Sequence, residues 1–183
     1  MSMLRTLRRH GFVKTAQIVA YRLAQRLMVI DITHPMILAA NDVVAPAVRD
    51  GLTFDFLTPD EVYSLCKDGT NGLDTSLADR MSRHGDFCFA AFAKNRLAGY
   101  VWFAFDRVAP ECNRAESLLT GVGISFPVSM CFHYKGFVLP EFRGGQVYGH
   151  LMSRAAALLA GRNVTRILST ADWVNFAAHQ SCY

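Results

Sequence analysis

The first thirty residues hold no acid. Between Met1 and Ile30 stand Arg5, Arg8, Arg9, Lys14, Arg22 and Arg26 with no aspartate or glutamate among them, whereas the whole chain carries a net charge of only +4. Cysteine is sparse and unpatterned. Cys66, Cys88, Cys112, Cys131 and Cys182 show no C-x-x-C spacing, which excludes a zinc ribbon and a thioredoxin-like redox pair. Their odd number and lack of pattern point to reduced thiols, a cytoplasmic setting and no metal site. No stretch approaches the roughly 20 uncharged apolar residues that a membrane helix needs. The N-terminal apolar residues are broken by arginines and lack a small-residue cleavage site, against a secretory signal. Internal repeats and low-complexity tracts are missing too. With 51% hydrophobic residues, disorder is excluded as the general state of the chain.

What is present fits a core of ordinary size. A chain of 183 residues matches one domain of the usual length. The reading divides it into residues 1–50, a basic helix with a connector, and residues 51–183, the main domain. Over residues 3–30, Phe12, Ala16, Val19, Leu23, Leu27 and Ile30 recur at helical spacing and form an apolar stripe. Such a helix either packs its stripe on the domain or lies on an anionic membrane or a partner. The connector 31–50 contains Pro35, Pro46 and a short strand at "MILAA".

Beyond it, "LTFDFL" alternates as a strand, and Thr58-Pro59-Asp60-Glu61 opens a helix with a capping box. A second helix spans about Thr75–Arg83 and stops at Gly85. "DFCFAAFAKNRLAGYVWFAF" reads as a central hairpin turning at Lys94-Asn95-Arg96, with Trp102, Phe103 and Phe105 as core. A long loop, 107–127, precedes the strand "VSMCFHYKGFVL". A helix over about 146–160 buries Val147, Leu151, Ala155 and Leu158, "VTRILST" is the last strand, and Val174 starts a further helix. Hairpin strands followed by a strand–helix–strand unit predict an α/β fold with a mixed sheet and helices on its faces.

One stretch carries chemistry. In "VLPEFRGGQVYGHLM" a buried strand ends at Pro140, and Arg143-Gly144-Gly145 leads directly into a helix. The first-turn amides of a helix lack acceptors inside it, and its dipole adds positive charge there. Glycines let an anion come close, and Arg143 adds a full charge. The run is neither a Walker A loop nor G-x-G-x-x-G. By itself Arg-Gly-Gly serves a tight structural turn equally well.

The same stretch resembles motif A of the GNAT superfamily of acyl-CoA-dependent N-acyltransferases, in Val138, Pro140, Phe142, Arg143 and Gly144. "STADWVNFAAHQSCY" resembles the next segment of that family, with Asn175 opening a helix and Ala178 following. The resemblance covers about residues 50–183. It departs from the family at Gln146 and Tyr148, where glycines are usual, and at Cys182, where the family has the tyrosine that Tyr183 carries one position later. The family also continues with two strands beyond Tyr183. The expectation is therefore a truncated chain whose strand at 164–170 is left as an exposed edge, inviting a homodimer.

This resemblance implies a mostly antiparallel central sheet and transfer of an acyl group, acetyl by expectation, from acetyl-CoA to a primary amine of a small molecule or peptide. The implied diphosphate cradle is Arg143, Gly144, Gly145, Gln146, Val147 and Tyr148, with Asn175 nearby. Phe137 and Val138 would supply the backbone donor for the thioester oxyanion. His133 is the candidate base, with Glu111 and Glu116 as alternatives, and Tyr183 is the candidate acid. Each also has a structural reading: a hydrogen-bonded buried histidine, a helix-packing tyrosine. Asp172, Trp173 and Glu111 would line the amine site, although Asp172 could equally cap the following helix. Lys135 reads as a solvated strand residue. No nucleic-acid partner is expected. A non-catalytic or membrane-peripheral protein on a degenerate scaffold is the alternative.

Overall fold

The computed structural model describes residues 3–27, 33–43, 51–113 and 121–176. Helix α1 (Met3–Leu27) is followed by β1 (Thr33–Ala39), β2 (Leu52–Leu57), α2 (Pro59–Cys66) and α3 (Thr75–His84). Next come β3 (Phe87–Ala93), β4 (Arg96–Phe105), β5 (Arg107–Val108), β6 (Ile124–Ser125) and β7 (Met130–Val138). Helix α4 (Val147–Ala160) and β8 (Arg166–Asp172) complete the described elements.

The local sequence accounts for these boundaries. Thr58 and Glu61 close the capping box at α2: the Glu61 N–H donates to Thr58 Oγ1, and Glu61 Oε2 accepts the Thr58 N–H at 2.7 Å. Gly85, left-handed at φ 71, ends α3. Lys94 and Asn95 both take positive φ, 48 and 62, which is the two-residue turn whose twist suits adjacent strands.

Six strands form one sheet in the order β1-β8-β7-β4-β3-β2. Every neighbouring pair is antiparallel except β7 and β8, which are parallel because α4 crosses between them. The sheet is mixed, mostly antiparallel and covered by helices on both faces, as the sequence implies. On one face α4 buries Val147, Leu151, Ala155 and Leu159 against Phe89, Val101, Phe103 and Ile167. Leu158, expected in this core, is exposed, and Leu159 takes its place one residue around the helix. On the other face α2 and α3 set Val62, Leu77 and Ala78 against Cys88, Ala90, Tyr100 and Trp102. Trp102 and Phe103 are fully buried, as core residues should be. The long loop carries the small ribbon β5–β6.

Two expectations are corrected. The strand "VTRILST" is not an edge: β1, from the connector, pairs with it in register from Thr33↔Asp172 to Ala39↔Arg166. The stripe of α1 does not face the domain. Phe12, Val19 and Leu23 are exposed, while Thr6, Thr15 and Tyr21 are the buried residues among those of the helix whose side chains are described. Helix α1 is also interrupted at Gly11, whose φ of 77 and ψ of 173 are not helical. Leu27 is the last described residue of this helix, and Ile30 lies outside the described residues, as do Glu116, Ala178, Cys182 and Tyr183.

Candidate functional site

Strands β7 and β8 run side by side from Met130↔Arg166 to His133↔Ser169 and are paired no further, although β7 continues to Val138 and β8 to Asp172. Their free ends enclose a cleft of about 570 Å³. It is lined by Met36 of β1, by His133 to Gly136 and Val138 of β7, by Arg143 and Tyr148 around the start of α4, and by Ser169 to Asp172 and Asn175.

A bulge helps aim the β7 side chains. Trp102 pairs with Lys135 and Phe103 with His133, so Tyr134 is the extra residue opposite one step of β4. Beyond it the alternation resumes. The Leu139 N–H donates to Ala98 O, which turns the amide and carbonyl of Val138 away from β4 and toward the splayed side. The Val138 carbonyl accepts from Arg143 Nε at 3.0 Å on that side, in agreement.

His133 sits at the point where the strands part. It is 6% exposed, and its Nδ1 lies 3.1 Å from Ser169 Oγ. Its Nε2 is buried with no hydrogen-bond partner among the described residues. Burial pushes its pKa down to about 4, so the ring is neutral near pH 7. The Tyr148 ring meets it edge-on, with centroids 5.9 Å apart. Gly136 permits that approach: a Cβ there would come within 2.7 Å of Tyr148 Cε2 and 3.1 Å of His133 Nε2. Tyr148 therefore stands in the wall of the cleft without filling it.

The loop before α4 is largely exposed and bends through two left-handed residues. Gly144 takes φ 79, and Gln146, where a glycine is usual in the resembled motif, takes a left-handed φ of 58. Arg143, Gly144 and Gln146 are exposed, whereas the Val147 side chain is buried in the core, so only its backbone can serve a ligand. The Arg143 guanidinium lies 5.8 Å from the Phe137 ring centre, and Phe137 stacks on Tyr100 on the opposite face of β7.

Other candidates fall differently. Asp172 reaches the cleft, yet its Oδ1 accepts the Val174 N–H at 3.1 Å and its Oδ2 lies 3.5 Å from Arg22. That bond closes the turn after β8; the helix Asp172 was expected to cap lies, apart from Phe176, outside the described residues. Trp173 packs edge-on against Tyr21, centroids 5.7 Å apart, and is not in the cleft lining. Glu111 is removed from His133: it lies 3.5 Å from Arg80 and lines a second hollow of about 650 Å³ with Arg83 and His84. Ser169 and Met36 were not anticipated as cleft residues. Lys135, read as solvated, also lines the cleft and donates from Nζ to the Gly72 carbonyl at 2.7 Å. Tyr134 donates to Asp86, a buried carboxylate also held by Arg80, which ties the bulge to α3.

No family profile matches the sequence, and no curated protein does. Solved structures do match in three dimensions. An aminoglycoside acetyltransferase from an uncultured soil metagenomic sample is 10% identical with a TM-score of 0.49, over 72% of this chain and 84% of that one. The ribosomal-protein-alanine N-acetyltransferase of Brucella melitensis is 14% identical with a TM-score of 0.47, over 70% of this chain and 86% of that one. A conserved protein of unknown function from Staphylococcus epidermidis is 13% identical with a TM-score of 0.52, over 88% of this chain and 60% of that one. At these identities the likeness is one of fold alone: the Staphylococcus structure, with its TM-score above 0.5, is of unknown function, and what this chain's own backbone shows is a mixed six-stranded sheet with one parallel pair, β7–β8, joined by the crossing helix α4.

Proposed function

We propose that the chain is an acyltransferase that moves an acetyl group from acetyl-CoA to a primary amine of a small molecule or peptide. The observation that carries the reading is the splay of β7 from β8 beyond His133 and Ser169, with the Arg143–Tyr148 loop at its mouth. In this reading the backbone of Gly144 to Tyr148 and the Arg143 guanidinium hold the diphosphate, with Asn175 beside them. Val138, more than Phe137, supplies the oxyanion donor, because its amide is the one turned toward the splay. The amine nitrogen attacks the thioester carbon, the carbon–sulfur bond breaks, and the thiolate leaves. The nitrogen gives up a proton, and the thiolate gains one.

His133 remains the candidate acceptor of that proton. At a pKa of about 4 it is neutral near pH 7 but weakly basic, so its contribution rests on position. Met36, Lys135 and Asp172 border the space left for the amine. A peripheral-binding role on an inactive scaffold is the second reading, and one observation favours it: Tyr148 stands where a glycine would leave the phosphates room.

Calorimetric titration with acetyl-CoA separates the two. Saturable binding, weakened about tenfold or more by Arg143→Ala through loss of a charge-assisted contact, supports the transferase. Absence of binding under conditions where the protein is folded removes it.

A further inference from the structure

The outward face of α1 fits a lipid surface. After the break at Gly11 the helix is held to the domain by one side only: Thr15 and Tyr21 are buried, Tyr21 meets Trp173, and Arg22 reaches Asp172. The other side presents Phe12, Ala16, Val19, Ala20 and Leu23, positions four, three, one and three apart that share one helical face. Phe12 is 78% exposed, Leu23 56% and Val19 47%, with Val13 beside them at 69%. Single exposed apolar residues are ordinary, but a continuous row of them is a contact surface.

Charge selects what covers it. The first thirty residues hold six arginines and lysines and no acid. A second copy of the chain would bring the same positive charge to the contact. A membrane rich in anionic headgroups offers the opposite sign, together with an apolar layer to receive Phe12, Val19 and Leu23. Apolar insertion and basic attraction are the two contributions that stable peripheral attachment combines. The row stands proud of a convex helix and is not a groove, which suits a flat interface better than a peptide. We infer that α1 attaches this protein to anionic membrane surfaces, with its apolar row in the headgroup–acyl boundary and the folded domain outside.

Co-sedimentation tests this with vesicles of phosphatidylcholine mixed with phosphatidylserine, set against phosphatidylcholine alone. The expected result is at least about tenfold more protein bound to the mixed vesicles, declining as salt is raised. The double variant Phe12→Ser/Leu23→Ser changes only exposed positions, so it should melt like the parent and lose the binding. Equal binding to both vesicle types overturns the inference, as does undiminished binding by the folded variant. Sedimentation velocity without lipid supplies the remaining check. A dimer that this variant dissolves would assign the face to a second copy and overturn the membrane assignment.

Discussion

Gln146 holds a backbone conformation, φ 58 and ψ 14, that costs a side-chain-bearing residue about 1–2 kcal/mol. A glycine there would remove that cost but would also gain about 0.4–1 kcal/mol of freedom in the unfolded chain. Strain wins by a small margin, so Gln146→Gly should stabilise the fold by about 0.5 kcal/mol, read as a raised urea midpoint at unchanged slope. Tyr148 asks a different question of the same loop. Removing its ring with Tyr148→Ala should widen the cleft and tighten acetyl-CoA binding severalfold by calorimetry. Unchanged binding would mean that the ring does not obstruct the ligand, and weaker binding that it is part of the ligand site. His133 links the site to pH. Its folded pKa, about 4, lies below the ordinary value of 6.5, so the unfolded chain binds the extra proton first. Stability is full above about pH 6.5 and declines toward pH 4, at about 1.4 kcal/mol per pH unit for one proton. His133→Gln should flatten that part of a denaturation-versus-pH series. The motif made Arg143 and Tyr148 visible in sequence, and His133 stood out as the near-neutral base on the strand that leads to it. Ser169 was not visible, because its role exists only through a partner on another strand.

Periodicity told which residues of α1 share a face but not which way that face turns. Phe12, Val19 and Leu23 do form one row, and the row points outward because the opposite side makes the specific contacts: Tyr21 on Trp173 and Arg22 on Asp172. Those partners lie at the far end of the sequence, beyond the reach of any local pattern. Helix α2 is the contrary case. Its start is encoded within four residues, and the reciprocal Thr58–Glu61 bonds appear as the sequence dictates. Loss of the side-chain cap in Thr58→Ala should cost about 1 kcal/mol, measured by chemical denaturation. Since α2 packs on α3 and not on the cleft, acetyl-CoA affinity in that variant should stay as it is in the parent.

At the scale of the whole molecule, the strand order depends on pairings between distant parts of the chain. Strand β1 showed itself in sequence as the apolar run "MILAA", yet nothing local assigned it to the flank of β8. Its place has two consequences. It covers the backbone edge that β8 would otherwise present, and it puts Met36 into the wall of the cleft beside His133 and Ser169. The parallel β7–β8 pair, which opens the cleft, is therefore braced on its outer side by seven residues of β1. Deleting residues 1–43 should leave β8 with a row of unpaired N–H and C=O groups, a template for strand addition. The expected outcome is concentration-dependent association in light scattering and a lowered melting temperature. Because α1 is deleted as well, the comparison that isolates the strand is deletion of residues 1–30, which removes α1 but keeps β1 and should remain monodisperse. A truncated chain that stays monomeric with an unchanged melting temperature would mean that β1 does not protect the β8 edge.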